Sequence, residues 1–162
     1  MAMGGGLDAC RTVLAHFPGL PHRVELIGES GGVRYYDDSK ATNVHATLAA
    51  VRGFPSVVLI AGGRNKGLDL GALADVASHL RAVVAIGDAA EEVWAALHER
   101  LSVVIAPTMR DAVRLAASLA DPGDTVLLSP ACTSFDWYRG YAERGDDFAR
   151  AVRAQLGLVA TA

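Results

Sequence analysis

Val57-Val58-Leu59-Ile60-Ala61 runs without a polar break into Gly62-Gly63-Arg64-Asn65-Lys66-Gly67. An apolar run rich in β-branched residues and closed by glycines reads as a strand buried on both faces, the pattern of a parallel sheet. Three further runs share it, at residues 82–86, 103–106 and 125–128. Alanine-rich segments with helical spacing separate them, at residues 44–51, 70–80, 89–100 and 108–119. Thr42 or Asn43 caps the first, and Thr108 with Asp111 three residues on comes close to a capping box. A last helix is expected from Ser134 to about Leu156, broken at Arg144-Gly145.

Upstream of the first helix, residues 24–29 and 33–37 alternate apolar with polar side chains around Ser30-Gly31-Gly32, the signature of a β-hairpin. Strand–helix alternation with right-handed crossovers then gives an α/β fold: a doubly wound, mostly parallel, Rossmann-like sheet with an antiparallel edge hairpin. Without repeats or a low-complexity linker, residues 7–162 read as one domain behind a flexible lead-in at residues 1–6.

Composition narrows the function. Of 162 residues 51% are hydrophobic, enough for a core, and 15 Lys+Arg against 18 Asp+Glu leave a net charge of −3. That balance argues against a nucleic-acid binder, which would carry a basic stripe. No apolar run approaches the ~18 residues of a membrane-spanning helix. Two cysteines, no CxxC, no HExxH and five scattered histidines imply a reduced, cytoplasmic protein with no metal site. Residues 1–6 lack the basic and apolar regions of a signal peptide.

In doubly wound sheets ligands bind beyond the carboxyl ends of the strands. Five segments should line that edge: Asp38-Ser39-Lys40-Ala41-Thr42, Gly62 to Gly67, Gly87-Asp88, Pro107-Thr108, and Ser129-Pro130-Ala131-Cys132-Thr133-Ser134. Lys40 and Lys66 there are point charges suited to a carboxylate or phosphate, and the hydroxyls of Thr42 and Ser134 favour the same anions. Solvated lysines and plain helix caps are the competing reading of these four. The glycine-rich turn is neither GxGxxG nor GxxxxGK[ST], and the latter occurs nowhere in the chain. Among the histidines His22 stands out, between Pro21, which fixes an extended approach, and Arg23, which offers a bidentate fork. A polar lead into the hairpin explains it equally well. Phe135, Tyr138 and Tyr141 fall at intervals of three on the expected last helix, an aromatic stripe that starts at the rim.

Leu20-Pro21-His22-Arg23, Asp38-Ser39-Lys40-Ala41-Thr42-Asn43, Gly62 to Gly67, Leu128-Ser129-Pro130-Ala131-Cys132-Thr133-Ser134-Phe135-Asp136 and Glu143-Arg144-Gly145-Asp146-Asp147-Phe148 occur in this order. Together they resemble the C-terminal domain of the Mur ligases of peptidoglycan synthesis. The likeness runs from about Leu7 to about Gly157, and the Asp38-to-Asn43 string resembles the members that add D-glutamate to UDP-N-acetylmuramoyl-L-alanine. The resemblance implies a three-domain enzyme in which other domains hold the UDP-sugar substrate and, on a P-loop, ATP and Mg2+. An acyl phosphate forms on the muramoyl-alanine carboxylate, and the D-glutamate amine attacks it to give an amide. It further implies that Lys40, Thr42, Lys66 and Ser134 clamp D-glutamate, with Phe135 and Tyr141 as the pocket wall. Arg23 and Asp38 would meet the nucleotide when the domains close, with His22 at the hinge. None of these is a catalytic base, and this chain by itself would be inactive. The sequence departs from the family pattern at Asp37 (usually Asn), Asn65 (commonly Asp), Thr133-Ser134 (Ala-Ser) and Tyr141, where phenylalanine is more familiar. Two alternatives stay open: another Mur-type amide ligase domain with a different amino acid, and a stand-alone small-anion-binding module.

Overall fold

The computed structural model describes Gly6, Arg11 and residues 19–158; the lead-in expected at residues 1–6 and Cys10 lie outside the described residues, Gly6 excepted. The first strands, β1 (Glu25–Ser30) and β2 (Val33–Asp37), form the expected hairpin. Gly31 and Gly32 both take positive φ (59° and 78°), the conformation a two-residue hairpin turn requires and glycine accepts freely. There follow α1 (Val44–Val51), β3 (Val57–Gly62), a 3₁₀ segment (Leu70–His79), β4 (Leu80–Ile86), α2 (Ala90–Leu97), β5 (Ser102–Ala106), α3 (Met109–Leu119), β6 (Thr125–Ala131) and α4 (Tyr141–Gln155). The six strands lie in the order β1-β2-β6-β3-β4-β5, antiparallel only between β1 and β2.

β3 shows why the fully apolar run sits at the centre. Val57, Leu59 and Ala61 face a core shared with α1, the 3₁₀ segment and α2; Val58 and Ile60 face a second core under α3 and α4. Both layers are buried, so both faces of the strand must be apolar. Among the described residues, no helix is long and apolar enough to cross a membrane.

Two expectations need correction. In place of the helix expected over residues 70–80, Leu70–His79 form a 3₁₀ segment kinked at Val76, and Leu80 already belongs to β4. Leu70, Leu73 and Val76 are all buried and spaced by three, the repeat of a 3₁₀ turn, and the chain passes directly into β4. The last helix begins at Tyr141 rather than Ser134 and continues through Arg144-Gly145 without a break. Residues 134–140 are held irregular by their own polar contacts: Asp136 accepts from the Asp88 amide at 3.0 Å, and the Arg139 amide donates to Glu143 at 2.9 Å. Phe135 and Tyr138 therefore precede the helix, and the aromatic stripe on one helix face does not exist. Glycine is required at position 145 of this helix, because a Cβ there would run into His22 Nδ1 and Asp37 Oδ2.

Candidate functional site

Parallel strands β2, β6, β3 and β4 carry their following loops to one edge, and hydrogen bonds lace those loops together. The Ala131 amide donates to Ala41 O at 3.0 Å, joining the β6 and β2 loops. Arg64 and Thr133 exchange backbone hydrogen bonds of 2.8 and 3.1 Å, joining β3 to β6. The Ala89 amide donates to Gly63 O at 2.8 Å, adding the β4 loop. Among the described residues, no hydrogen bond ties Pro107-Thr108 to this rim; Thr108 caps α3, accepting from the Asp111 amide.

The two lysines sit on aromatic rings rather than on carboxylates. Lys40 Nζ lies 4.9 Å from the Tyr141 ring centroid and donates to its hydroxyl at 3.2 Å, while Lys66 Nζ stands 5.5 Å from the Phe135 centroid. Among the described residues neither ammonium has an acidic partner. The helix-cap reading of the hydroxyls fails. Asn43, not Thr42, caps α1, accepting from the Ala46 amide at 2.9 Å, and Ser134 lies seven residues before α4. Neither hydroxyl makes a hydrogen bond among the described residues, although Ser134 is only 2% exposed. Two uncompensated cations and two unused hydroxyls on laced loops are donors of the kind that a carboxylate or phosphate accepts from.

Of these four only Lys40 lines a cleft of about 520 Å³, which it shares with Arg23, Asp38 and the alanines of α1. Asp38 is buried, accepts from Ser129 Oγ at 2.8 Å and from the Val24 amide, and burial pushes its pKa up to about 6. The folded state thus holds this proton more tightly than the unfolded chain, so the contribution of Asp38 to stability is fully present below pH ~4 and is lost as pH rises through about 6. Asp38→Asn is expected to raise the urea midpoint at pH 8, with the gain vanishing toward pH 4. A pH-independent difference would reject burial as the cause.

His22 lies outside that lining. Its Nδ1 is 2.7 Å from Oδ2 of the buried Asp37, and its ring meets Tyr141 edge-on with centroids 6.1 Å apart. Asp37 also accepts from the Ser39 amide at 2.8 Å; burial raises its pKa, and the His22 and Ser39 hydrogen bonds oppose that rise. His22 and Val24 both adopt positive φ (60° and 49°), which is rare for the β-branched Val24, so the approach to β1 is held in a strained path. His22, Glu25 and Asp37 each bring one ligand atom within 4.8 Å of the others, but Nδ1 and Oδ2 are spent on one another.

Arg144 stands in the last of the family-like strings and at the expected helix break, and neither gives it a role. It is 1% exposed. Its Nε donates to Ser39 Oγ at 3.0 Å, Nη2 to Ser39 O at 2.8 Å and Nη1 to Cys132 O at 3.1 Å. One guanidinium therefore fixes the loop carrying Lys40 against the loop carrying Ser134. Burial lowers its pKa to about 10, Asp136 opposing, so it stays charged at neutral pH. The available signal was glycine directly after arginine inside an otherwise amphipathic helix, which marks a close approach.

Residues 22–132 match the family model described as Mur ligase, glutamate ligase domain. A UDP-N-acetylmuramoylalanine–D-glutamate ligase of Thiobacillus denitrificans is 50% identical over 151 residues, covering 91% of this chain and 32% of that protein. One from Desulfosudis oleivorans is 47% identical over 155 residues, covering 94% and 34%. The chain thus spans about a third of the length of the curated relatives it matches. Among solved structures, the bifunctional folylpolyglutamate synthase/dihydrofolate synthase of Yersinia pestis superposes with a TM-score of 0.63 at 19% identity, covering 97% of this chain and 36% of that one. The UDP-N-acetylmuramate-alanine ligase of Thermotoga maritima gives 0.59 at 13% identity, covering 94% and 34%. At these identities the structures speak for the fold alone.

Proposed function

This chain belongs to the Mur ligase glutamate-ligase-domain family, and from that premise we propose that it is the D-glutamate-binding part of a cytoplasmic, ATP-dependent ligase that joins D-glutamate to UDP-N-acetylmuramoyl-L-alanine in peptidoglycan synthesis. The observation that supports this reading is the rim itself: among the described residues Lys40 and Lys66 have no acidic partner, and the Thr42 and Ser134 hydroxyls make no hydrogen bond. D-Glutamate presents two carboxylates, and two cations with two hydroxyls match that demand. Phe135 (54% exposed) and Tyr141 (36% exposed) stand beside the lysines as walls that an occupant would cover.

The cleft fits a nucleoside. Its alanine side is apolar, Asp38 is an acceptor for ribose hydroxyls, and Arg23 is a fork for phosphate. ATP with Mg2+ supplies the phosphoryl group that activates the muramoyl-alanine carboxylate as an acyl phosphate. This chain orients the partner: it holds the D-glutamate carboxylates so that the amine faces the activated carbon, and its lysines neutralise charges that would repel the polyphosphate. His22, held on Asp37, sets the path of the segment that brings Arg23 to the cleft.

With no P-loop in its 162 residues, the chain is expected neither to hydrolyse ATP nor to ligate. Binding of D-glutamate should be weak, because a site shared between domains has lost part of its walls. In an NMR titration D-glutamate should move the signals of Lys40, Thr42, Lys66 and Ser134. Shifts confined to other residues, or ATP turnover by the purified chain, would overturn the assignment.

A further inference from the structure

From the environment of Tyr141 we infer that its phenolic hydroxyl is a fifth donor to the bound amino acid, contacting one of its carboxylates; this rests on the D-glutamate reading above. Three contacts fix the residue. Ser39 Oγ donates to its carbonyl at 2.7 Å, the His22 ring lies against its ring edge, and Lys40 Nζ donates to its hydroxyl oxygen at 3.2 Å. A lysine ammonium has donors only, so the phenol oxygen accepts in that bond and its own hydrogen remains unused. Among the described residues no acceptor claims it.

That free hydrogen sits beside a cation with no acidic partner, on a ring that is partly exposed at the rim. A carboxylate drawn to Lys40 meets the O–H at the same point. The pair offers one carboxylate two donors of different kinds, an ammonium fixed by the phenol and a phenol polarised by the ammonium. Phenylalanine would keep the wall and the cation–π contact but leave the ammonium untethered and remove one donor.

The test is an NMR titration of the chain with D-glutamate, wild type against Tyr141→Phe, with thermal melts of both. Tyr141→Phe should retain the melting midpoint and weaken D-glutamate roughly three- to tenfold, as expected for loss of one hydrogen bond to a charged group at a partly exposed site. An unchanged affinity, with Lys66 and Ser134 still responding to D-glutamate, would overturn the role of the hydroxyl and leave the D-glutamate site standing. A wild-type chain whose Lys40, Thr42, Lys66 and Ser134 signals ignore D-glutamate would overturn both.

Discussion

Arg144→Met is expected to cost about 3 kcal/mol of folding stability and to abolish measurable D-glutamate binding. Methionine fills much of the arginine's volume, so the loss does not come from a cavity. It comes from the acceptors left behind: Ser39 O and Cys132 O lose their guanidinium donors inside a buried layer, and each buried unpaired carbonyl costs about 1–3 kcal/mol. Relief from burying a cation works in the opposite direction. The orphaned carbonyls should win, because the guanidinium's three hydrogen bonds all go to uncharged acceptors that remain buried after the substitution. Arg144→Lys should recover little, since one ammonium cannot reach Ser39 and Cys132 in the planar fork that arginine presents. Urea denaturation reads the stability and the D-glutamate titration reads the site. A Met variant within about 0.5 kcal/mol of wild type, the range of an ordinary surface change, would show that the strut does not hold the two loops.

How far the sequence revealed this site depends on which residue is considered. Lys40, Thr42, Lys66 and Ser134 could be placed on one edge because parallel strands send their following loops to the same side, a rule that needs only strand order and direction. Periodicity served β3 and the hairpin for a similar reason: a strand buried on both faces and a Gly-Gly turn leave local marks. It failed in the helix expected over residues 70–80, where Leu70, Leu73 and Val76 at intervals of three suit the 3₁₀ turn that forms. It failed again at residues 134–140, where side-chain contacts to Asp88 and Glu143 hold off a helix that composition alone would allow. Arg144 was hidden for a deeper reason. An arginine in an amphipathic helix is usually solvated, and only the tertiary approach of Ser39 and Cys132 makes burial tolerable.

Gly63→Ala should be as damaging as loss of Arg144, at about 3 kcal/mol or more, although it adds a single methyl group. Gly63 takes φ +128°, a region L side chains rarely adopt, and a Cβ there would stand 2.3 Å from Thr133 O and 3.1 Å from Arg144 Nη1. The first contact is backbone and cannot rotate away. Relieving it must push the β3 loop from the β6 loop and open the Arg64–Thr133 bridge, which would separate Lys66 from Ser134. Gly67→Ala is the matched control. Gly67 also has positive φ (79°) but nothing lies within 4 Å of the added Cβ, so it should incur only the backbone term of about 1–2 kcal/mol. The difference between the two variants isolates the close approach from the conformational strain. Amide exchange at Arg64 and Thr133 should accelerate in Gly63→Ala and stay slow in Gly67→Ala. Equal stabilities would mean that the glycine is needed only for its backbone angle, and the contact between the two loops would lose its place as the element that brings lysine and hydroxyl to one rim.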